Sequence, residues 1–132
     1  MTEASGSDPH RDDRRWPRSV YGEGDEPDPR FSLANERTFL AWIRTTLALL
    51  AGAAALDALD LPMPDSAQRL IALLLALVAL MAALQAWRGW ARTERAMRTG
   101  APLPSAPFAA VVALAVAAVA LGLVLTALLR SP

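Results

Sequence analysis

The sequence contains no cysteine, no lysine, one histidine and one tyrosine in 132 residues. Without cysteine there is no disulfide, no thiol nucleophile and no thiolate metal site. The lone histidine, His10, lies in a polar N-terminal stretch, which removes most transition-metal chemistry. The formal net charge is zero, so no global field attracts nucleic acid or a charged substrate. Every basic residue is arginine, which beside the abundant alanine reads as base composition and carries no functional inference. No apolar segment followed by a small-residue cleavage site opens the chain, so the first hydrophobic segment is expected to stay in the mature protein. Nucleophile–base pairs, metal clusters and glycine-rich phosphate loops are also missing, and neither enzymatic activity nor a cofactor is expected.

What is abundant is apolar surface. Hydrophobic residues make up 54% of the chain, well above a soluble domain, and they arrive in blocks. Phe39 to Leu56 and Leu70 to Trp87 each give 18 residues, and Phe108 to Leu129 gives 22. At about 1.5 Å per residue, each helix crosses a hydrocarbon core of about 30 Å, the first two with help from flanking residues. A soluble bundle would need a polar face on each helix, and the third run has none. The expected fold is all-α: a polytopic membrane protein with three transmembrane helices in a small bundle, over about 33–59, 66–98 and 107–130.

Residues Met1 to Pro29 mix Asp, Glu, Arg, Gly, Ser and Pro without apolar periodicity, which predicts a disordered tail ahead of a transmembrane domain spanning 30–132. Ser32 is placed to cap the first helix, with Asn35 and Glu36 in its opening turn. Asp57, Asp60, Pro62 and Pro64 form a short acidic turn, after which Asp65 and Gln68 have the spacing of a capping box. The second helix continues past its apolar part with Arg88, Arg92 and Arg95 at spacings of four and three, a basic stripe outside the membrane. Gly100, Pro102, Pro104 and Pro107 end it. In the third helix Ala109, Ala113 and Ala117, and also Ala118 and Gly122, repeat every four residues, a spacing that lets helix backbones approach closely.

Orientation follows from the basic residues. Arg30, Arg37, Arg88, Arg92, Arg95 and Arg98 lie at one side, and only Arg69 and Arg130 at the other, so the positive-inside rule predicts a cytoplasmic N-terminus and an external C-terminus. Phe31, Phe39, Trp42, Trp87, Trp90 and Phe108 fall at the same side as the arginines, as an interfacial belt would.

The most informative stretch is Asn35-Glu36-Arg37-Thr38-Phe39-Leu40-Ala41-Trp42-Ile43-Arg44-Thr45. It puts two arginines on one face of a helix entering the bilayer, and that face continues as Ala41, Ala48, Gly52 and Ala55. Leu40, Ile43, Leu47 and Leu50 occupy a neighbouring sector fit for lipid tails. An arginine near the bilayer centre costs about 2.5 to well over 10 kcal/mol unless it snorkels, pairs, or faces a wet or protein-lined cavity.

The block Asn35-Glu36-Arg37-Thr38-Phe39-Leu40-Ala41-Trp42, with Trp87-Arg88 closing the second span, resembles the bacterial YidH-type inner-membrane family, a domain of unknown function numbered 202. It is also similar to the membrane domain of the eukaryotic vacuolar transporter chaperone subunits, which assemble around a pore conducting polyphosphate. The resemblance covers about Arg30 to Leu129 and implies a bacterial plasma-membrane location, a cytosolic N-terminus, three spans and oligomerisation. Carried onto this sequence, the chaperone family's pore-mouth positions fall on Arg30, Glu36, Arg37 and Arg88. Arg44 is a departure, lying inside the first span where the eukaryotic relatives tend to be uncharged.

Two readings follow. In one the protein is a structural or scaffold subunit of a membrane oligomer, with Arg37 and the arginines after Trp87 beside lipid headgroups and Arg44 snorkelling back to them. In the other, several copies turn Arg37 and Arg44 inward and, with Arg30 and Arg88, form a basic vestibule for phosphate-rich anions. The expected partners are the bilayer, further copies or a larger membrane complex, and in the second reading a phosphate-rich anion. Nucleic acid is not among them.

Overall fold

The computed structural model describes residues 14–105 and 107–130. These contain a short helix α1 (Arg18–Tyr21) and three long ones, α2 (Pro29–Ala58), α3 (Asp65–Thr99) and α4 (Phe108–Arg130), and no strand among the described residues. The three long helices are apolar and long enough to cross a membrane.

The ends of α2 and α3 are set by residues other than those the spacing singled out. Asp28, not Ser32, caps α2: its carboxylate accepts from the Arg30 amide at 2.9 Å, and Pro29 occupies the first helical position. Proline there sacrifices no helical hydrogen bond. The helix therefore starts a full turn before Ser32, which is released for a tertiary contact. Asp65 is already the first residue of α3 and makes no side-chain cap. Gln68 instead reaches across the turn, its amide donating to the carbonyls of Leu56 at 2.5 Å and Leu59 at 2.6 Å, and so satisfies the open end of α2. The stop of α3 is as expected: Gly100 takes φ 66°, and the following Ala101 amide closes on the Ala96 carbonyl at 2.9 Å.

Helices α2 and α3 form an antiparallel hairpin. The buried positions of α3 in its apolar part are Ala72, Leu75, Ala79, Ala82 and Ala86, a three-and-four repeat in which Ala79 and Ala82 are fully covered. Thr46, Leu49 and Ala53 of α2 lie against them. Lipid tails are as apolar as leucine, so burying leucine gains little in a bilayer, whereas small side chains bring backbones into contact. Accordingly Leu73, Leu77 and Leu80 of α3 and Leu40 and Leu47 of α2 are more than half exposed to the outside of the bundle. Helix α4 is held more lightly, through Val112, Val119 and the contact of Phe108 with Trp42 at 6.0 Å between ring centres.

The polar N-terminal stretch differs from expectation over its described part, and residues 1–13 lie outside the described residues. From Arg14 to Asp28 the chain lies as a strap along the far end of α3. Val20 is fully buried, Trp16 stacks on Trp87 at 5.5 Å, and Tyr21 tilts over Trp90 at 6.3 Å. The Asp25 amide donates to the Arg98 carbonyl at 3.0 Å, and Arg95 donates to the Ser19 carbonyl. The guanidiniums of Arg15 and Arg98 sit over the Tyr21 ring, 4.8 and 4.9 Å from its centre. Docking by a few unlike side chains, buried Val20, Tyr21 with guanidiniums over its ring, and Trp16 against Trp87, leaves no repeating apolar pattern in the sequence, because no periodic face is involved.

Candidate functional site: the aromatic end of the hairpin

The end of the bundle that carries Trp87 and Trp90 concentrates the unusual chemistry. Its centre is a buried carboxylate. Glu94 is 3% exposed, and both its oxygens are used: Oε1 accepts from the Ser32 hydroxyl at 2.7 Å and Oε2 from the Asn35 amide at 3.1 Å. The same Asn35 amide also donates to the Trp90 carbonyl at 3.1 Å. A buried charge without such donors would cost several kcal/mol, so this node fixes the register of α2 against α3. Sequence reasoning gave attention to Glu36 and Arg37 in this motif. The available signal was Asn35, a side chain with two donors and an acceptor opposite the one carboxylate in the C-terminal half of the neighbouring helix.

Around this node the arginines of α3 divide. Arg95 pairs with Glu23 at 3.5 Å and holds Ser19, and Arg98 is 5% exposed with Glu26 at 3.7 Å. Arg88 and Arg92 remain exposed. The basic stripe read from spacing is therefore two surfaces, one of them occupied by the chain's own acidic strap. Tyr21, between these cations and the Glu94 carboxylate, has its phenol pushed above its usual value. Burial is the main cause; Glu94 and Glu36 add to it, against the opposing pull of Arg15 and Arg98.

The five residues singled out from the sequence are all exposed: Arg30, Glu36, Arg37, Arg44 and Arg88. On α2 the seam against α3 is marked by Asn35, Thr46, Leu49 and Ala53. At about 100° per residue, Arg30, Arg37 and Arg44, together with Ala55, lie about half a turn round from that seam, and Ala48 lies between them and α4, bordering a groove with Val116 and Val119. Arg88 stands two residues beyond buried Ala86, about half a turn from the seam on α3. One chain thus brings Arg30, Arg37 and Arg44 onto a single outward face and holds Arg88 on the opposite side of the hairpin. Among the described residues no three of His, Cys, Asp and Glu stand together as metal ligands.

A three-span helical membrane protein with a buried Asn–Glu node and an outward basic face is the class defined by these observations. The chain belongs to the family described as domain of unknown function DUF202, which matches residues 30–96. It is 46% identical over 111 residues to inner membrane protein YidH of Escherichia coli K12, covering 79% of this chain and 94% of that protein, and equally similar to YidH of Shigella flexneri. An uncharacterised protein of Mycobacterium tuberculosis is 46% identical over 84 residues, 62% of this chain and 68% of that protein. No solved structure matches.

Proposed function

We propose that the protein is a structural subunit of a plasma-membrane oligomer, with the aromatic end in the cytoplasm and the C-terminus outside, and that copies associate through the outer face of α2. The orientation rests on the excess of arginine at the aromatic end. The observation that carries the association is Arg44: it lies within the first span on a face that no helix among the described residues covers, in line with exposed Ala55 instead of the leucines. Small residues let a second copy approach there, and protein or trapped water shelters the guanidinium from hydrocarbon. The test is the mass in mild detergent. A multiple of the 14.1 kDa chain that falls to one copy in Ala55→Leu supports the reading, and a native monomer overturns it.

A second reading has its own observation. Arg30, Arg37 and Arg44 have no carboxylate partner among the described residues. Copies arranged about an axis with this face inward would gather like charges, which only anions neutralise. Guanidinium pairs best with phosphate oxygens, two bonds at a time, so the gathered face would form a vestibule for phosphate-rich anions such as polyphosphate. Flux of short polyphosphate from liposomes carrying the protein, lost in Arg37→Ala with Arg44→Ala, is the expected result. Unchanged flux removes this reading and leaves the structural one standing.

A further inference from the structure

Three grooves, the lower two largely open to the outside, run end to end along the side of the hairpin that faces α4. The first, about 130 Å³ at the aromatic end, is lined by Thr38, Trp42, Gln85, Arg92 and Phe108 among others. The second, about 280 Å³, shares Thr38 and Trp42 with the first and continues between Thr45 of α2 and Ala109 and Ala113 of α4. The third, about 290 Å³, shares Thr45 with the second and passes Gly52, Leu75 and Val116. Helices α2 and α4 leave the aromatic end in the same direction, so this is one track that changes character with depth. From Thr38 to Gly52 it descends about 21 Å, more than one leaflet's share of a core about 30 Å thick.

The top of the track is polar in a particular way. Among the described residues Arg92 is its only charged wall residue, and no carboxylate lines it. Gln85 belongs to the apolar run from Leu70 to Trp87, and its half-buried amide has no partner among the described residues; nor does the Thr93 hydroxyl or the Arg92 guanidinium. A half-buried amide set in an apolar run and unpaired within the described residues is free to donate to a ligand acceptor. Below Trp42 the walls are almost wholly aliphatic, with Thr45 spending its hydroxyl on the Ala41 carbonyl at 3.2 Å.

We propose that this track binds one anionic glycerophospholipid from the leaflet at the aromatic end, its phosphate and headgroup hydroxyls at Arg92, Gln85 and Thr93 and one acyl chain along the α2–α4 seam. A single guanidinium matches a single phosphate, the neutral donors match headgroup oxygens, and a zwitterionic headgroup would bring an ammonium to a wall with no carboxylate to receive it. The site lies on the α4 side of α2, about a quarter turn round from Arg37 and Arg44 and bordered by Ala41 and Ala48, and it stands whether or not copies associate. It also accounts for the light packing of α4, since a bound chain would fill the seam that the helix leaves open.

The test uses the full protein in mild detergent, incubated with phosphatidylglycerol, phosphatidylcholine or free glycerol phosphate, and native mass spectrometry of what is retained. Phosphatidylglycerol is expected to be retained about tenfold over phosphatidylcholine, and Arg92→Gln to lower that retention about tenfold, the scale of one lost charge-assisted hydrogen bond. Ala113→Phe, which fills the track, should displace both lipids, and Arg18→Gln, an exposed cation of the strap, should displace neither. If Arg92→Gln does not yield folded protein, Gln85→Leu takes its place with the same expected direction. Equal retention of the two lipids, full retention in Arg92→Gln, or displacement of phosphatidylglycerol by an equal concentration of glycerol phosphate would each overturn the proposal, the last by making the ligand a soluble phosphate.

Discussion

Glu94 and Asn35 are tied so closely that either alone is a liability. Replacing Glu94 with alanine strands the Ser32 hydroxyl and part of the Asn35 amide in a buried site, and buried unsatisfied donors cost about 1–3 kcal/mol each. Glu94→Gln keeps one acceptor and should cost less. The expected order of melting temperature in detergent is native, then Glu94→Gln, then Glu94→Ala, read from the circular dichroism of the helices. Tyr21 gives a second residue-scale expectation. Its phenol is raised above the ordinary value of 10.0, so the docked strap favours the protonated form. That contribution is whole below the unfolded value of about 10 and is lost as pH rises through the higher docked value. Tyr21 is the sole tyrosine, so its ultraviolet titration reports this site alone. The midpoint should lie above that of the denatured chain, and a coincident midpoint would show the strap undocked. Neither residue was legible as a site beforehand: Glu94 sits in a row of arginines that reads as a solvated face, and only the pairing of helices shows that the carboxylate turns inward.

At the scale of the element, hydropathy decides the spans and local stereochemistry decides their ends. The three apolar runs were plain in the sequence because nothing except a membrane uses blocks of that length. The start of α2 was not, since Ser32 and Asp28 are both good caps and Pro29 settles the choice in favour of the earlier one. The strap was hidden for a different reason. Its docking depends on Gly24, whose φ of 66° brings the backbone so close to α3 that a Cβ would overlap the Arg98 carbonyl oxygen. Gly24→Ala should therefore release the strap without touching the spans. Limited proteolysis is expected to cut the variant between Val20 and Asp28 several-fold faster than the native protein, with unchanged helix content. Equal cleavage would mean that the strap tolerates a shifted α3 terminus.

At the scale of the whole molecule the question is what an isolated chain does with its outward arginines. Two physical solutions exist for Arg44. It reaches back along the helix to the headgroups near Arg37, or another polypeptide covers it. The two differ in what removing the charge does. A snorkelling arginine is held against hydrocarbon at a cost, so Arg44→Leu should leave the particle mass unchanged and raise the melting temperature slightly. An arginine sheltered by a second copy is part of an interface about as long as the run Arg37 to Ala55, and a leucine there is too bulky for close approach and offers nothing polar to the shared cavity. On the association proposed above, Arg44→Leu lowers the mass toward one copy, while Leu47→Ala on the neighbouring lipid sector leaves it intact. The sector assignment explains why: Leu47 is 60% exposed on the side given to hydrocarbon, so trimming it removes only contacts that lipid replaces. Loss of assembly in Leu47→Ala with none in Arg44→Leu would reverse the two faces and leave the arginines as membrane anchors.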